Sequence, residues 1–196
     1  MTIRTVLAAS AVACSASTAL AAIDGFTDFG AWEAAAGGPA VTDDLSSYGV
    51  VNLALGENDF FNGYSVILDG TGTGGTNING ATNLVFTLGG ELDSITFAFD
   101  QPQTGFGADW LNTFVSNGLT VTINGESFNV EDFVPEPNFE FVGFAGDPFT
   151  EAVLTVTDPN GGTEFAAISN VYFAIPAPSG IAALALGGLV AARRRR

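Results

Sequence analysis

Residues 119–130 read LTVTINGESFNV, and this stretch indicates the fold most directly. Over residues 119–123 apolar side chains alternate with threonines, which is the two-residue period of a strand that buries one face. Asn124 and Gly125 follow at once, and Asn-Gly is a preferred pair for a tight turn between antiparallel strands. A second strand is predicted over residues 126–130. The stretch therefore predicts a β-hairpin.

The two-residue period recurs on both sides of the hairpin. It predicts strands over residues 84–88 and 95–99, where one set of alternate positions is apolar. Further short strands, separated by turn residues, are predicted at residues 41–46, 64–69, 105–110, 139–144, 152–157 and 165–173. Residues 70–80 are mostly glycine, threonine and asparagine, which predicts a loop. This spacing predicts an all-β fold, a single antiparallel β-sandwich of the jelly-roll type.

One short helix is predicted ahead of the strands, over residues 27–36. Thr27 is expected to cap it, and Gly37 to end it. Apolar residues at i, i+3 and i+7 give it one buried face, on which Trp32 is expected to anchor the core rather than to bind a ligand.

The charge distribution excludes whole classes of function. The chain of 196 residues has 21 Asp and Glu against 5 Lys and Arg, and residues 23–175 contain all of the acids but no Lys, Arg, His or Cys. A Ser-His-Asp or Cys-His nucleophile, a lysine Schiff base and a His or Cys zinc site therefore cannot form there. A basic surface for nucleic acid is excluded for the same reason.

The N-terminus has the pattern of a secretory signal peptide over residues 1–22. Arg4 precedes an apolar run, and small residues allow cleavage after Ala21 or Ala22. Cys14 offers an alternative acylated N-terminus, although the leucine that usually stands three residues earlier is absent. The favoured interpretation predicts an exported protein without cysteine or disulfide.

The C-terminus combines three features in order. A proline motif, Pro176-Ala177-Pro178, precedes the uncharged residues 180–192. This run is shorter than the roughly 20 residues of a spanning helix, which predicts a short hydrophobic helix with a transient membrane anchoring role. The chain then ends in Arg193, Arg194, Arg195 and Arg196. By the positive-inside rule, these arginines favour a cytoplasmic location for the end of the apolar segment that they follow.

This order of features resembles the PEP-CTERM sorting signal of exported Gram-negative bacterial proteins, over residues 176–196. Alanine stands at Ala177 where the usual motif has glutamate. The resemblance implies export across the inner membrane, cleavage by an exosortase-type transpeptidase, and delivery to the cell surface or the exterior. The segments DFGAW (28–32), FGADW (106–110) and AISNVYFA (167–174) resemble ectodomains that accompany such signals, which implies a β-sandwich for residues 23–175.

Two kinds of site remain open to a domain whose reactive groups are carboxylates, hydroxyls and amides. Paired carboxylates can hydrolyse glycosides, and Asp109 beside Trp110, Glu126 and the pair Glu131-Asp132 have the required residue type. Calcium prefers carboxylate and amide oxygens. Its candidate ligands are Asp43, Asp44, Asp109 and Asn170.

The sequence as a whole favours a non-enzymatic extracellular β-sandwich. Its expected role in the surface or exopolysaccharide matrix is structural, adhesive or a weak contact with neutral glycans or with other copies of a surface layer. The alternative is a secreted carbohydrate-active enzyme that uses paired carboxylates.

Overall fold

The structure is a computed structural model, and it describes residues 22–48, 51–53, 55–58, 61–70, 76–79, 83–88, 94–111, 119–133, 139–156 and 164–176. The predicted signal peptide, residues 1–22, lies outside these residues except for Ala22, and the predicted sorting signal, residues 176–196, lies outside them except for Pro176. In the described ranges, no helix combines the length and the apolar character that a membrane crossing requires.

Strands dominate the described residues. In chain order the elements are β1 (Asp24–Phe26), α1 (Phe29–Ala36), β2 (Val41–Asp43), β3 (Val51–Leu53), β4 (Gly56–Asn58), β5 (Tyr64–Asp69), β6 (Thr76–Asn79), β7 (Asn83–Leu88), β8 (Ser94–Leu111), β9 (Leu119–Ile123), β10 (Glu126–Asn129), a short 3₁₀ turn (Val130–Asp132), β11 (Phe139–Val156) and β12 (Glu164–Ala174).

Two long strands, β8 and β11, run through both layers of the fold. Residues 94–98 of β8 pair with residues 151–155 of β11, and residues 105–111 of β8 pair with residues 139–145 of β11. The register shifts on either side of Phe149, between these two halves. Such irregularities let a strand bend, so one hydrogen-bonded sheet folds over into two layers.

The two layers consist of different strands around these shared ones. Sheet I contains β4, β5, the first half of β8, the second half of β11, β9 and β10. Sheet II contains β1, the first half of β11, the second half of β8 and β12, followed by β2, β7, β6 and β3. All of these pairings are antiparallel.

The main hydrophobic core lies between the two sheets. Tyr64 of sheet I packs against Phe173 of sheet II with ring centroids 5.9 Å apart, and Phe128 of sheet I packs against Phe144 of sheet II at 5.0 Å. The fold is therefore an antiparallel β-sandwich, and the fold class predicted from the alternating pattern is confirmed. The predicted hairpin is also present, because Asn124 and Gly125 have the positive φ angles of 51° and 82° that its turn requires.

Two features of the strands differ from the sequence-based predictions. The strands predicted separately within β8 and within β11 are continuous, and each long strand runs on through the irregular pairing around Phe149. Part of the predicted loop over residues 70–80 is the strand β6, which pairs with β7 and β3. Its polar sequence TNIN carries no strand period, and backbone pairing rather than side-chain pattern defines it.

The helix begins at Phe29, and its N-cap is Asp28. The Asp28 carboxylate accepts a hydrogen bond from the backbone N–H of Ala31 at 2.8 Å, and its extended backbone is the cap conformation. The predicted cap, Thr27, is therefore wrong by one residue. The predicted end is confirmed, since Gly37 has φ +76°.

Glycines on the outer face of sheet II make room for α1. A β-carbon added to Gly105 would lie 2.9 Å from Trp32 Cζ2, and one added to Gly143 would lie 2.6 Å from Trp32 Cδ1. Trp32 is fully buried against this surface and donates its indole N–H to the carbonyl oxygen of Phe144 at 3.0 Å. The prediction of Trp32 as a core anchor is confirmed.

Candidate functional site

Beside Trp32, four side chains on the outer face of sheet II and one side chain of α1 form a cluster of mixed character. We call Phe29, Asp109, Phe141, Asn170 and Tyr172 the aromatic–carboxylate patch. Strand pairing sets Asp109 opposite Phe141, and Tyr172 opposite Gly107 on the same face. Asn170 lies in the irregular part of β12, between the paired residues Ile168 and Val171. The strands β11 and β12 therefore place their side chains beside Asp109 of β8.

The Asp109 carboxylate is held by two neighbours on β12. Asn170 donates its amide N–H to Asp109 Oδ2 at 2.5 Å, and the Tyr172 hydroxyl donates to the same oxygen at 2.9 Å. Neither of these bonds uses the other carboxylate oxygen, Oδ1. Burial raises the pKa of Tyr172, and its hydrogen bond to Asp109 raises it further. Tyr172 therefore stays a hydroxyl donor at neutral pH.

The rings of the patch pack edge to face. Phe29 lies 5.2 Å from Phe141 and 5.0 Å from Tyr172, and Phe141 lies 5.6 Å from Tyr172, measured between ring centroids. Phe29 is 36% exposed, whereas the other four side chains of the patch are half-buried. The patch thus presents aromatic surface next to a carboxylate and an amide, a combination that suits an amphipathic ligand.

A second carboxylate, Asp43, lies on the opposite face of sheet II. It pairs with Val171, so its side chain shares the inner face with the core. The side chain is 8% exposed, and its Oδ2 accepts hydrogen bonds from the hydroxyls of Tyr48 at 2.7 Å and Tyr64 at 3.1 Å. Its Oδ1 accepts from the backbone N–H of Leu45 at 3.0 Å. Hydroxyl and backbone donors thus solvate this buried charge.

Both tyrosines at Asp43 are poor acids in the folded protein. Burial raises the pKa of Tyr48 to about 12, with a further contribution from the hydrogen bond to Asp43. Burial and the negative charge of Asp43 raise the pKa of Tyr64 well above its usual value. Tyr48 also accepts a hydrogen bond from the backbone N–H of Asn62 at 3.0 Å, which fixes its orientation.

A polar cleft of about 230 Å³ opens beside this centre, lined by Val41, Thr42, Asp43, Asp44, Ser47, Tyr48 and Asn62. Asp44 is exposed at its edge and accepts hydrogen bonds from the Ser46 hydroxyl at 2.7 Å and from the Ser46 backbone at 3.0 Å. These bonds lower the pKa of Asp44, the hydroxyl first. The cleft therefore has an acidic rim.

The structure separates the four predicted calcium ligands into two pairs. Asp43 and Asp44 lie at the cleft, whereas Asp109 and Asn170 contact each other on the outer face of sheet II. Among the described residues, no three acidic side chains come together in a way that could hold a metal ion. Calcium binding at either pair remains a prediction.

The candidates for paired carboxylates are also distributed over the fold. Asp109 is on β8, a central strand of sheet II. Glu126 begins β10, which lies in sheet I at one end of the strand order. Glu131 and Asp132 follow β10 in the short 3₁₀ turn. Asp109 thus shares a sheet with none of the other three.

The sequence identified only the polar half of the patch. It singled out Asp109 and Asn170 as candidate ligands, but it did not single out Phe29, Phe141 or Tyr172. A usable signal exists in β11, where apolar residues occupy both sets of alternate positions from Phe141 to Phe144, which indicates that both faces are covered. The segments DFGAW, FGADW and AISNVYFA supply four of the five patch residues.

The class of molecule that the fold defines is an all-β sandwich with one helix packed on an outer face. Comparisons with protein-family models, with curated proteins and with solved structures give no match to this chain. The function is therefore inferred from the residues and from their geometry.

Proposed function

We propose that the protein is exported, is sorted through its C-terminal segment by an exosortase-type transpeptidase, and acts outside the cell as a non-enzymatic β-sandwich. Its role there is structural or adhesive, through weak contacts with neutral glycans or with copies of itself in a surface layer or exopolysaccharide matrix. The terminal segments support the export and sorting steps, because each has the order of features that such a signal requires.

The main support for the proposal is that the folded domain begins and ends next to these two segments. Ile23, directly after the expected cleavage site, is 3% exposed and belongs to the core. At the other end, β12 finishes at Ala174, and Ile175 is already 51% exposed, just before the proline motif. Removal of both segments would therefore leave the described fold with all of its strands.

The exposed ring of Phe29 supports the adhesive role. Sugars offer an apolar C–H face and polar hydroxyls, and the patch offers aromatic surface beside Asp109 and Asn170. Single hydrogen bonds contribute only about 0.5–1.5 kcal/mol net, so one domain binds weakly. Many copies on a surface would multiply such contacts into useful adhesion.

Retention on neutral polysaccharides tests this role. We expect the purified protein to be retarded on immobilised neutral glycans, and Phe29→Ser to remove the retardation. Leu55→Ser is the matched control, because Leu55 is 56% exposed and is outside the patch. Equal behaviour of the two variants would contradict a role for the patch.

A reducing-end release assay on the same polysaccharides separates the proposal from the enzymatic alternative. The proposal predicts no release of sugar with or without calcium. Release that disappears in Asp109→Asn, with the variant still folded, would favour a carbohydrate-active enzyme.

A further inference from the structure

We infer that the aromatic–carboxylate patch prefers glycans that carry free, protonated amino groups, such as polymers of glucosamine. This inference deepens the proposed glycan contact and rests on it. Its central observation is that Asp109, a half-buried carboxylate, accepts a hydrogen bond from Tyr172 and lies opposite Phe141 in the strand pairing, beside the exposed ring of Phe29.

Charge complementarity favours a cationic ligand. Residues 23–175 hold 21 negative charges and no positive side chain, so no side chain of the domain can form an ion pair with Asp109. The neighbours that hold it, Asn170 and Tyr172, are neutral donors. A ligand ammonium would therefore supply the first positive charge at this carboxylate, where partial burial strengthens the attraction. An acidic glycan would instead meet repulsion from the whole domain.

The aromatic groups favour the same ligand. A cation over an aromatic ring is attracted by the negative face of the ring, and the rings of Phe29 and Phe141 lie on the same face as Asp109. An amino sugar would place its C–H face on a ring and its ammonium group near the carboxylate. Each part of the ligand then has a complementary group in the patch.

The exposed border of the patch favours a glycan over a basic peptide. Phe29 is 36% exposed at this border, whereas Phe141 and Tyr172 behind it are half-buried, so the patch offers a ligand the side of a ring cluster and not a cage around a single amine. Asn170 and the Tyr172 hydroxyl add polar groups that suit the hydroxyls of a sugar. The amine of a basic peptide would interact with the carboxylate alone and would leave these polar groups unused.

Three hexasaccharides with the same backbone test the inference, namely those of glucosamine, N-acetylglucosamine and glucose. Binding to the purified protein, in the processed form that its cells yield, is measured by calorimetry at about pH 5.5, where amines are protonated and carboxylates are ionised. We expect the glucosamine oligomer to bind about tenfold or more tightly than the other two, as a charge-assisted hydrogen bond implies.

Three variants distinguish the contribution of the Asp109 carboxylate to binding from that of the Phe29 ring and from that of the overall charge. Asp109→Asn should abolish the preference for the glucosamine oligomer and leave the affinity for the glucose oligomer unchanged. Phe29→Ser should weaken the binding of all three oligosaccharides. Asp44→Asn removes the same charge at an exposed position outside the patch and should leave the preference intact. Circular dichroism confirms that each variant is folded.

The possible outcomes are distinct. Equal affinity for glucosamine and glucose oligomers, with both lost in Phe29→Ser, would overturn the inference but support the proposed neutral-glycan contact. An equal effect of Asp44→Asn and Asp109→Asn would show diffuse attraction and overturn the inference. If a trilysine peptide bound as tightly as the glucosamine oligomer, and Phe29→Ser left its affinity unchanged, the inference would be overturned in favour of a simple cation site. Failure of all three oligosaccharides to bind would overturn this inference together with the proposed glycan contact.

Discussion

Between residues 23 and 175, where the chain has no basic side chain, tyrosine hydroxyls provide the hydrogen bonds that its buried acids need. The chain has 3 tyrosines, and each donates its hydroxyl to a carboxylate: Tyr48 and Tyr64 to Asp43, and Tyr172 to Asp109. A buried carboxylate is costly unless hydrogen bonds replace its water. Hydroxyl groups therefore take the place of salt-bridge partners in this domain.

Replacement of Asp43 by asparagine tests this arrangement. Both oxygens of Asp43 accept hydrogen bonds, and an amide would put an N–H₂ group where one acceptor is needed. We expect Asp43→Asn to lower the free energy of unfolding by about 1–3 kcal/mol, measured by chemical denaturation. Asp44→Asn removes the same charge from the exposed neighbour and should change it little. A similar loss in both variants would contradict a special role for Asp43.

The tyrosines also predict a loss of stability in alkali. The pKa of Tyr48 is about 12 in the folded protein and about 10 in the unfolded chain, so above about pH 10 the unfolded state releases protons that the native state keeps. The unfolded state then binds fewer protons, and the free energy of unfolding falls as pH rises from about 10 to about 12. Tyrosinate absorbance should consequently rise together with unfolding. Titration of all three tyrosines near pH 10 in a native protein would be inconsistent with this account.

At the scale of the elements, the docking of α1 depends on small residues beneath it. A β-carbon on Gly143 would lie 2.5 Å from Phe141 Cζ and 2.6 Å from Trp32 Cδ1, too close for either ring. We expect Gly143→Ala to destabilise the protein by about 1–3 kcal/mol, as overpacking does, and to disturb the patch. Thermal denaturation with glycan binding as a second readout would measure both effects.

Gly30→Ala provides the control on the exposed side of the same helix. The nearest atom to its added β-carbon is Asp28 Oδ1 at 3.5 Å, an ordinary contact. Because alanine favours helices over glycine by up to about 1 kcal/mol, this variant should be neutral or more stable. A destabilised Gly30→Ala beside an unchanged Gly143→Ala would refute the packing of α1 on sheet II.

The sequence predicts elements well where a side-chain period or a turn residue specifies them. The hairpin at Asn124-Gly125 and the burial of Trp32 follow from such local signals. The strand β6 could not be predicted, because its polar residues are recruited by backbone pairing with β7. The patch could be predicted only in part, since the contact of Asp109 with Asn170, 61 residues apart, depends on the register of β8 and β12.

At the scale of the whole molecule, unbalanced negative charge should make stability depend on salt. The 21 acids of residues 23–175 repel one another without a cationic side chain to offset them, and salt screens such repulsion with a Debye length of about 8 Å at physiological strength. We expect the melting temperature to rise with sodium chloride and to fall in chelator at low salt. No change between these conditions would contradict the role of self-repulsion.

Calcium at matched ionic strength distinguishes a specific site from screening. An ion that binds only the folded state at 100 times its Kd adds about 2.7 kcal/mol. A larger gain with millimolar calcium than with sodium would support a site, and Asp44→Asn and Asn170→Ala would show which pair of predicted ligands forms it. Equal gains would remove Asp43, Asp44, Asp109 and Asn170 as calcium ligands.

The intact mass of the protein recovered from outside its native cells tests the central proposal of export and sorting most directly. We expect a chain that begins at Ala22 or Ile23, because small residues allow signal-peptide cleavage after Ala21 or Ala22. We also expect the loss of residues 193–196, since the proposed cleavage near the proline motif would remove them. A mass that includes the four arginines, or an intact signal peptide, would contradict the account.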